Sequence, residues 1–448
     1  MQTPAELNRR ASVTGPTHFR RGTTLHRRLI LVLAFVVSGC AQLPVVDDDI
    51  ARAARTADAG GTLALMREQI ERVARTRFIG GNSVDLLRNG PETYAAMTAA
   101  ISAAKRRIDM ESYTFDTAEG GKFAQLLLAK RAQGVEVNLI YDAWGSLGAS
   151  PAMFARLRQG GVHVLEVHPL GPVAALDFNR RDHRKLLVVD ASVTIVGGVN
   201  ISEVYENRRD PSDPTNNPNE LPWRDTDVRI DGPATVEFER AFMSTWHRQK
   251  GVAIPEPPPT PEARHGDAQV LALAGDPNTQ RQLIYRTLLV AITLAKSSIH
   301  LTTGFFAPPP DLKHALEDAA RRGVDVRIIV PAHSTSELAI HAGRADYEDL
   351  MEAGVHIYEL QDVVLHAKTS VIDGAWSAVG SSNLDDRSVI FNNELDALIL
   401  DGAFGKKMEA MFSGDVAHSR EIDPRQWAHR SLRERFDEWW ARLVQIFL

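Results

Sequence analysis

A histidine and a lysine two residues apart occur twice in this chain, and the residues after them repeat at the same spacing. Each lysine is followed by an aspartate, a glycine and an asparagine, five, twelve and fifteen positions further on. Five residue types that recur at one spacing are improbable by chance, so we predict that both sets form one catalytic site. The sets are His183, Lys185, Asp190, Gly197 and Asn200, and His366, Lys368, Asp373, Gly380 and Asn383.

These residue types suit the cleavage of a phosphodiester. Residues two apart on a strand share a face, so each histidine should point the same way as its lysine. Two imidazoles, two ammonium groups and two amides can bind a phosphate monoanion without a metal. One imidazole would attack phosphorus, while the other protonates the leaving alkoxide and then activates the incoming hydroxyl. We therefore expect a phosphohistidine intermediate and no cofactor or metal.

Two acidic residues are candidates for holding the histidines in one tautomer and orientation. Residues 225–230 and 394–399 predict corresponding strands after the two motifs, and each strand begins with a carboxylate, Asp225 or Glu394. We predict that these carboxylates are the partners of the imidazoles. The alternative, surface carboxylates at strand edges, stays open for both.

The elements that must position these residues also occur twice. Residues 100–108 and 291–299 each predict a helix that leads into a strand, and residues 131–140 and 321–329 each predict a helix that ends at a glycine before a buried strand. This alternation predicts an α/β fold in which a helix-covered sheet occurs twice. The predicted boundaries are 1–39 for a signal peptide, 40–88 for a lead segment, 89–250 and 268–415 for two domains, 251–267 for a proline-rich linker and 416–448 for an amphipathic C-terminal region.

The C-terminal region carries six large apolar residues at helical spacing. They are Leu432, Phe436, Trp439, Trp440, Leu443 and Phe447. Three arginines and three acidic residues lie among them, without the basic excess that an anionic membrane favours. We expect this stripe to pack on the second domain, and a position in a membrane interface is the alternative.

The chain contains one cysteine, Cys40, which excludes an internal disulfide. It follows two arginines, an apolar run over residues 29–37 that is too short to span a bilayer, and the small residues Ser38 and Gly39. This arrangement resembles a bacterial lipoprotein signal, and Gln42 favours the outer membrane of a Gram-negative host. We expect an acylated Cys40 and a lipid-anchored, periplasm-facing protein of the cell envelope. A buried cysteine after an uncleaved anchor is the alternative.

Net charge argues against a nucleic-acid partner. The chain has 51 basic and 57 acidic residues, a formal charge of −6, and residues 1–39 hold six arginines and one glutamate. The remainder therefore has 45 basic against 56 acidic residues, or −11. Nucleic-acid affinity comes mainly from cations that contact phosphates, so such a surface is unsuited to a polyanion.

The two motifs resemble the paired HKD motifs of the phospholipase D superfamily, from about Asn89 to about Phe412. The segments that resemble bacterial cardiolipin synthases in detail are 184–190, 197–201, 223–226 and 380–388. Gly198 stands where many members have serine, which would remove one hydroxyl donor at the phosphate. The resemblance implies two tandem phospholipase D-type α-β-α domains, packed as a pseudo-twofold bilobal monomer with the active site between them. It also implies that His183 is the nucleophile and His366 the acid and base.

The expected activity is that of a phosphatidyltransferase of the cardiolipin synthase type, with phosphatidylglycerol and phosphatidylethanolamine as candidate phospholipid substrates. Hydrolysis through the same intermediate, which releases phosphatidic acid, stays open because the choice depends on how well the cleft excludes water. The further alternatives are a periplasmic nuclease, against which the acidic charge speaks, and a non-catalytic lipid-binding scaffold.

Overall fold

A computed structural model describes residues 48–169, 180–206, 221–257, 263–277, 282–334 and 336–444. All of these lie in one compact unit, Val45–Leu448. The predicted signal peptide and Cys40 lie outside the described residues.

Both halves of the chain contribute strands to one large sheet. In the first half the strands are β1 (Ile79–Arg88), β2 (Arg107–Ser112), β3 (Glu136–Asp142), β4 (His163–Val167), β5 (Lys185–Val189), β6 (Val193–Gly197), β7 (Trp223–Arg224) and β8 (Thr226–Asp231). In the second half they are β9 (Ala268–Gly275), β10 (Ser298–Thr303), β11 (Phe306–Ala307), β12 (Asp325–His333), β13 (His356–Leu365), β14 (Lys368–Ile372), β15 (Trp376–Gly380), β16 (Leu384–Asp385), β17 (Glu394–Leu400) and β18 (Ser419–Glu421). Strands β11 and β16 form a separate small sheet.

The large sheet contains one strand order twice. The first half contributes β1-β8-β6-β5-β2-β3-β4, and the second contributes β9-β17-β15-β14-β10-β12-β13, followed by β18. The copies join where β1 pairs antiparallel with β9. Strands β2, β3 and β4 are parallel, as are β10, β12 and β13. Ligands of open α/β sheets bind beyond the carboxyl ends of such strands, which lie at one edge of each copy.

Helices cover both faces of this sheet. They are α1 (Asp48–Thr56), α2 (Ala59–Ala74), α3 (Asn89–Ala103), α4 (Ala118–Ala132), α5 (Pro151–Gln159), α6 (Thr235–Arg248), α7 (Leu283–Leu294), α8 (Pro310–Arg321), α9 (Glu337–Arg344), α10 (Tyr347–Glu352), α11 (Asp386–Ile390), α12 (Gly402–Val416), α13 (Pro424–Trp427) and α14 (Leu432–Val444). The predicted α/β fold with two tandem copies is therefore confirmed.

One hydrophobic core crosses the junction between the copies. Helix α6 contacts β2 and β5 of its own copy and β9 of the other, and its Phe238 and Phe242 are fully buried. Helix α12 contacts β15 of its own copy and β1 of the first, and Phe404 and Met408 are buried in the same core. Separating the copies would expose this shared apolar surface to water, so burial holds them together.

The strands that carry the motifs are buried on both faces. Every residue of β5 (KLLVV) and of β14 (KTSVI) is buried, because helices cover both sides of the sheet. Their β-branched and leucine side chains fill this core, while Lys185 and Lys368 occupy the first position of each strand. A buried ammonium group is costly unless anionic or hydrogen-bonding partners surround it, which marks these strand ends as special.

Helix α14 packs on α9, but the side that packs is not the one with the large apolar residues. Ala441 is fully buried beside Ala342, and the buried Glu438 forms an ion pair with Arg430 at 3.0 Å. The described members of the apolar stripe are exposed, so the expectation that this stripe packs on the second domain is wrong. Phe447 lies outside the described residues. No helix in the described part of the chain combines the length and the hydropathy needed to span a bilayer.

Candidate active site

The two histidines lie where the copies exchange backbone hydrogen bonds. The N–H of His183, just before β5, donates to the carbonyl of Asn393, just before β17 of the other copy, at 2.9 Å. The N–H of His366, just before β14, donates to the carbonyl of Arg224 in β7 at 2.8 Å, and β7 pairs with the end of β13. Each histidine is thus fixed by a segment of the opposite copy, and both segments meet at one place.

The imidazole rings of His183 and His366 face a common space. Their centroids are 6.3 Å apart, and the ring planes are inclined by 72°. The side chains are 11% and 12% exposed, so a small part of each remains accessible. Reacting atoms approach to about 3–3.5 Å before bond formation, so a phosphorus between the rings could reach both.

A carboxylate of the opposite copy holds each imidazole. Nδ1 of His183 lies 3.0 and 3.2 Å from the two carboxylate oxygens of Glu394. Nδ1 of His366 lies 2.7 Å from Oδ2 of Asp225. Both carboxylates are fully buried. A hydrogen bond from Nδ1–H to a carboxylate leaves Nε2 as the reactive nitrogen, which is what a nucleophile or a general base needs.

Glu394 is held ionised by several donors. Besides His183, its carboxylate accepts hydrogen bonds from the Ser381 hydroxyl at 2.5 Å and from the Asn392 amide at 3.2 Å. Burial acts to raise the pKa of Glu394, but His183, Lys185 and the Ser381 hydroxyl outweigh burial and lower that pKa. The charge on Glu394 can therefore stabilise an imidazolium.

The two half-sites differ at two positions of the glycine-rich turn, where Gly198 and Val199 stand opposite Ser381 and Ser382. Ser381 of the second copy donates its hydroxyl to Glu394. The first copy has Gly198 there, and a Cβ at Gly198 would overlap the carboxylate of Asp225. The Ser381 hydroxyl thus donates to the Glu394 carboxylate and not to the phosphate position. A serine in place of Gly198 would likewise meet the Asp225 carboxylate, so the expectation that Gly198 removes a donor to the phosphate is not supported by the geometry.

Both lysines are buried beside the histidines. Nζ of Lys185 donates to the carbonyl of His183 at 2.6 Å, and Nζ of Lys368 donates to that of His366. Burial lowers the pKa of Lys185 to about 7 and that of Lys368 to about 8. Burial also lowers the pKa of His183, and it lowers that of His366 to about 3, where the Lys368 cation adds to the effect. An anion in this space would favour the charged forms of all four groups.

Three aromatic side chains that the sequence did not single out enclose the imidazoles. Tyr113 contacts His183 edge-on with centroids 5.1 Å apart, and Trp223 lies 5.4 Å from His366. The Tyr205 hydroxyl lies 3.1 Å from Nδ1 of His366. Trp223 could have been found, because it begins the segment that resembles the family. The two tyrosines are not repeated in the other copy, so the repeat gave no signal for them.

The two asparagines occupy different environments. The Asn200 amide donates to the Tyr205 hydroxyl at 3.1 Å and accepts from the backbone N–H of Thr114 at 3.1 Å, so it reaches His366 through Tyr205. The Oδ1 atom of Asn383 is buried and has no hydrogen-bond partner within the described residues. The structure thus brings Asn200 near the histidines as a positioning residue, and it leaves Asn383 able to bind a ligand.

The structure does not bring Asp190 and Asp373 to the histidines. Each aspartate follows the last residue of a five-residue strand that begins with the lysine. It therefore lies roughly 16 Å from that lysine along β5 or β14, and farther from the histidine. Each carboxylate instead accepts backbone N–H groups where β2 or β10 begins, from Lys105, Arg106 and Arg107, and from Lys296, Ser297 and Ser298. The prediction that these aspartates join the catalytic set is therefore corrected: they position the neighbouring strand.

Two other aspartates, which the sequence reasoning missed, shape the glycine-rich turns. Oδ1 of Asp227 accepts from the backbone N–H of Val199 at 3.0 Å, and Oδ1 of Asp396 accepts from that of Ser381 at 3.1 Å. A Cβ on the first glycine of either turn would overlap these carboxylates. Each aspartate lies two residues after the carboxylate that holds an imidazole, and this repeated offset was the signal that could have found them.

Burial also changes the charge of these aspartates. It raises the pKa of Asp227 to about 8, with Asp225 adding to the effect, and it raises that of Asp396 to about 7, with Glu394 adding. Two ionised carboxylates cannot both be accommodated so close together in a dry environment. Burial and the neighbouring carboxylate therefore favour the neutral form of both Asp227 and Asp396.

Comparison with known proteins supports the repeated architecture. A family described as "Cardiolipin synthase, PLD-like domain" matches residues 97–209 and 288–416, one match in each copy. The chain is 14% identical to phosphatidylserine synthase of Haemophilus influenzae Rd KW20, with a TM-score of 0.59 over 85% of this chain and 100% of that one. Polyphosphate kinase of Porphyromonas gingivalis is 12% identical, with a TM-score of 0.50 over 86% and 52%. At such identities the structures support the fold alone.

Relatives with much higher identity carry one name. The chain is 34% identical over 370 residues to a cardiolipin synthase of Geobacillus thermodenitrificans, covering 81% of this chain and 72% of that protein. It is 31% identical over 378 residues to cardiolipin synthase A of Erwinia tasmaniensis, covering 82% and 74%. The chain therefore belongs to the phospholipase D-like domain family of the cardiolipin synthases, and it is a phospholipase D-like phosphatidyltransferase.

Proposed function

We propose that this protein is a cardiolipin synthase that transfers a phosphatidyl group from one phospholipid to the free hydroxyl of phosphatidylglycerol. The proposal depends on one observation. The ring centroids of His183 and His366 are 6.3 Å apart, and each imidazole is hydrogen-bonded to a buried carboxylate of the opposite copy. Such a pair supplies a nucleophile and an acid and base on two sides of one phosphorus. The relatives named above support phospholipids as the substrate class.

In the first step, Nε2 of His183 attacks the phosphorus of the donor lipid. A P–N bond forms, the P–O bond to the headgroup alcohol breaks, and His366 gives its Nε2 proton to the departing alkoxide. The phosphate anion offsets the lysine cations that help to lower the pKa of His366, and Asp225 stabilises the imidazolium. The products of this step are a phosphatidyl-histidine and the free alcohol.

In the second step, the acceptor lipid takes the place of the alcohol. His366 accepts the proton of the phosphatidylglycerol hydroxyl, whose oxygen attacks phosphorus, and the P–N bond to His183 breaks. When phosphatidylglycerol is also the donor, the released alcohol is glycerol and the product is cardiolipin. Water in place of the acceptor would give phosphatidic acid, so exclusion of water decides the outcome.

The remaining site residues bind the phosphate in this proposal. Lys185 and Lys368 supply positive charge that becomes more favourable when the anion is bound, because burial penalises it otherwise. Asn383 would bind the phosphate through its Nδ2 donor, while its buried Oδ1, which has no partner among the described residues, can accept a hydrogen bond from a hydroxyl of the ligand. Asn200 acts through Tyr205 and holds His366 in place.

Membrane attachment through Cys40 belongs to the same proposal and rests on the sequence pattern alone. An acylated Cys40 would hold the catalytic unit at the periplasmic surface of a membrane, where its substrates are concentrated. Globomycin, which blocks cleavage of lipoprotein signals, should then cause a larger precursor to accumulate in cells. An unchanged size with the drug would contradict acylation at Cys40 and leave the proposed reaction untouched.

The reaction is tested by incubating the purified protein with phosphatidylglycerol vesicles and separating the products. We expect cardiolipin and glycerol in equal amounts, and no product from the His183→Ala variant. His163→Ala is the matched control, since His163 lies in β4 and hydrogen-bonds Asn138 outside the site. Phosphatidic acid as the main product would show that the protein is a hydrolase and not a synthase. Absence of any product would favour a non-catalytic scaffold.

The covalent step has a separate test. Wild-type protein mixed with lipid labelled in its phosphate and quenched in alkali should carry the label, because a phosphoramidate bond survives alkali. His183→Ala should carry none. Label that persists in His183→Ala and disappears in His366→Ala would exchange the roles of the two histidines.

A further inference from the structure

The C-terminal helix α14 exposes an apolar surface that is large for a single helix. Leu432, Phe436, Trp439, Trp440 and Leu443 are 86%, 60%, 54%, 53% and 57% exposed. Successive helical residues are rotated by about 100°, which places all five within a stripe roughly 100° wide. We call this set the apolar stripe. Exposed apolar groups in a continuous patch indicate a binding surface.

The opposite side of α14 fixes the helix to the protein. Ala441 is buried in the small cluster with Ala307 and Ala342, and Arg442 forms an ion pair with Asp346 of the second copy at 2.8 Å. Arg430, just before the helix, forms an ion pair with Glu348 at 3.0 Å. These contacts hold the apolar stripe turned away from the rest of the described structure.

Arginines lie on both flanks of the apolar stripe. At about 100° per residue, Arg433 lies just beyond one edge of the apolar stripe and Arg435 just beyond the other. Asp437 lies next to Arg433 and forms an ion pair with it at 3.8 Å, whereas Glu434 and Glu438 lie on the far side. The helix has no net charge, yet an apolar centre flanked by arginines matches the acyl chains and phosphates of a bilayer surface.

Two tryptophans near the middle of the apolar stripe fit the same partner. Trp439 and Trp440 combine a large apolar ring with one N–H donor, and such residues favour the boundary between headgroups and acyl chains. A protein partner would not require arginines on both flanks of the apolar stripe. The charge pattern therefore favours a lipid surface over a second protein chain.

The apolar stripe is connected to the proposed active site through α9. Helix α9 follows the carboxyl end of β12 and contacts β11, where Gly343 lies against the backbone of Phe306. Gly304, just before β11, lies against the backbone of His366. The surface that α14 exposes is thus one helix removed from the segment that holds an imidazole.

Other exposed apolar side chains lie on segments that adjoin the site. Trp144 and Leu147 are in the loop after β3, Val204 precedes Tyr205, Leu338 begins α9 and Ile390 ends α11. Gly145 of the first segment touches the backbone of Tyr113, which contacts His183. Exposed apolar residues around the mouth of the site are consistent with contact between this edge of the protein and a bilayer.

We propose that α14 lies in the interfacial region of a phospholipid bilayer, with the apolar stripe inserted between headgroups, and that this contact holds the mouth of the site at the lipid surface. The choice of a bilayer as the partner rests in part on the proposed lipid substrate. Because α14 has no net charge, insertion depends on apolar burial, and added salt should not release the helix.

The insertion is tested with a fluorophore on either side of the helix. Cys40 is the only cysteine, so the full-length Cys40→Ser chain can be labelled at one introduced cysteine, by Phe436→Cys or by Asp437→Cys. Phe436 lies near the centre of the apolar stripe, whereas Asp437 lies about 110° from that centre, outside the stripe, and is the control. With phosphatidylcholine vesicles we expect a blue shift and quenching by brominated acyl chains at position 436, at low and high salt, and little change at 437.

Two results would overturn the proposal. The first is an equal response, or none, at both positions. The second is a blue shift at position 436 that appears without vesicles and grows with protein concentration, which would make a second copy of the chain the partner. Either result is independent of turnover, so a failure of the proposed reaction would leave the fluorescence outcome interpretable.

A functional measurement links insertion to the site. The double variant Trp439→Glu with Trp440→Glu should reduce turnover of vesicle lipid ~10-fold or more, because it loses the high local substrate concentration at the surface. Turnover of a short-chain phosphatidylglycerol dispersed as single molecules should not change. Val252→Glu, at a 63% exposed position after α6, is the control. Equal losses with both substrates would show damage to the fold and contradict the proposed contact.

Discussion

Replacing Glu394 by glutamine should weaken the attack on phosphorus without creating a cavity. The carboxylate is fully buried and accepts from Nδ1 of His183, from the Ser381 hydroxyl and from the Asn392 amide. Glutamine has nearly the same shape but presents an N–H₂ donor where one acceptor oxygen was. At least one of the three donors then loses its acceptor, and His183 loses the charge that stabilises its imidazolium.

The expected loss follows from the value of a hydrogen bond to a charged group. Such a bond contributes about 1.5–3 kcal/mol, and at roughly 1.4 kcal/mol for each factor of ten this is about a 10- to 150-fold decrease in kcat/KM. Asp225→Asn is the matched change in the other half-site, because Asp225 holds His366 at 2.7 Å. The two variants should differ in which chemical step they impair.

A substrate with a p-nitrophenyl leaving group separates these steps. The p-nitrophenolate ion leaves without protonation, so the first step no longer needs His366 as an acid. Glu394→Gln should slow the initial burst of p-nitrophenolate. Asp225→Asn should keep the burst but slow the steady-state turnover that follows, because the second step still needs His366 as a base. Thermal unfolding of both variants provides the control for folding.

The opposite pattern would refute the assigned roles. If Asp225→Asn abolished the burst and Glu394→Gln preserved it, His366 would be the nucleophile. If both variants lost the same factor with both substrates, the two half-sites would not have distinct roles, and the reasoning from separate imidazole-carboxylate pairs would fail.

Three further variants test the structural reading. Burial lowers the pKa of Lys185 to about 7, against about 10.4 in an unfolded chain, so its protonation favours the unfolded state below about pH 10. Lys185→Met should therefore raise Tm at pH 7 while abolishing activity. Calorimetry should show this gain in Tm shrinking as the pH approaches 10. Gly197→Ala should lose ~1–3 kcal/mol of unfolding free energy in denaturant, because a Cβ overlaps the Asp227 carboxylate; Gly148→Ala, with open space around it, should not. Asp190→Ala should lose about 1–3 kcal/mol as well, yet the kcat of the folded protein should stay within twofold of wild type.

The repeated spacing was informative about the site because it aligned two copies of one element order. That alignment made Asp225 and Glu394 candidates before any contact was known, and the structure places both against imidazoles. It failed for Tyr113 and Tyr205, because the equivalent positions of the other copy hold Gly304 and Ser388, so neither tyrosine is repeated. A repeat can identify only what both copies share.

Spacing also does not say which end of a strand faces the site. Asp190 repeats as faithfully as Lys185, but the two lie at opposite ends of β5, and the aspartate binds backbone N–H groups there. Helical spacing likewise identified the apolar stripe of α14 but not the side that packs. The packing side uses a small residue, Ala441, and ion pairs that hydropathy does not detect.

The sequence by itself determined the chemical groups of the two half-sites, the shared face of each histidine and lysine, and the doubled α/β order, because these depend on local periodicity. Only the tertiary structure decided that each imidazole is held by the carboxylate of the other copy. Those contacts join residues 211 and 141 positions apart, and they exist because the segments before β5 and β14 pair with segments that lead into β17 and β8. Local patterns carry no information about such an exchange, since it is fixed by how the shared core brings the two copies together.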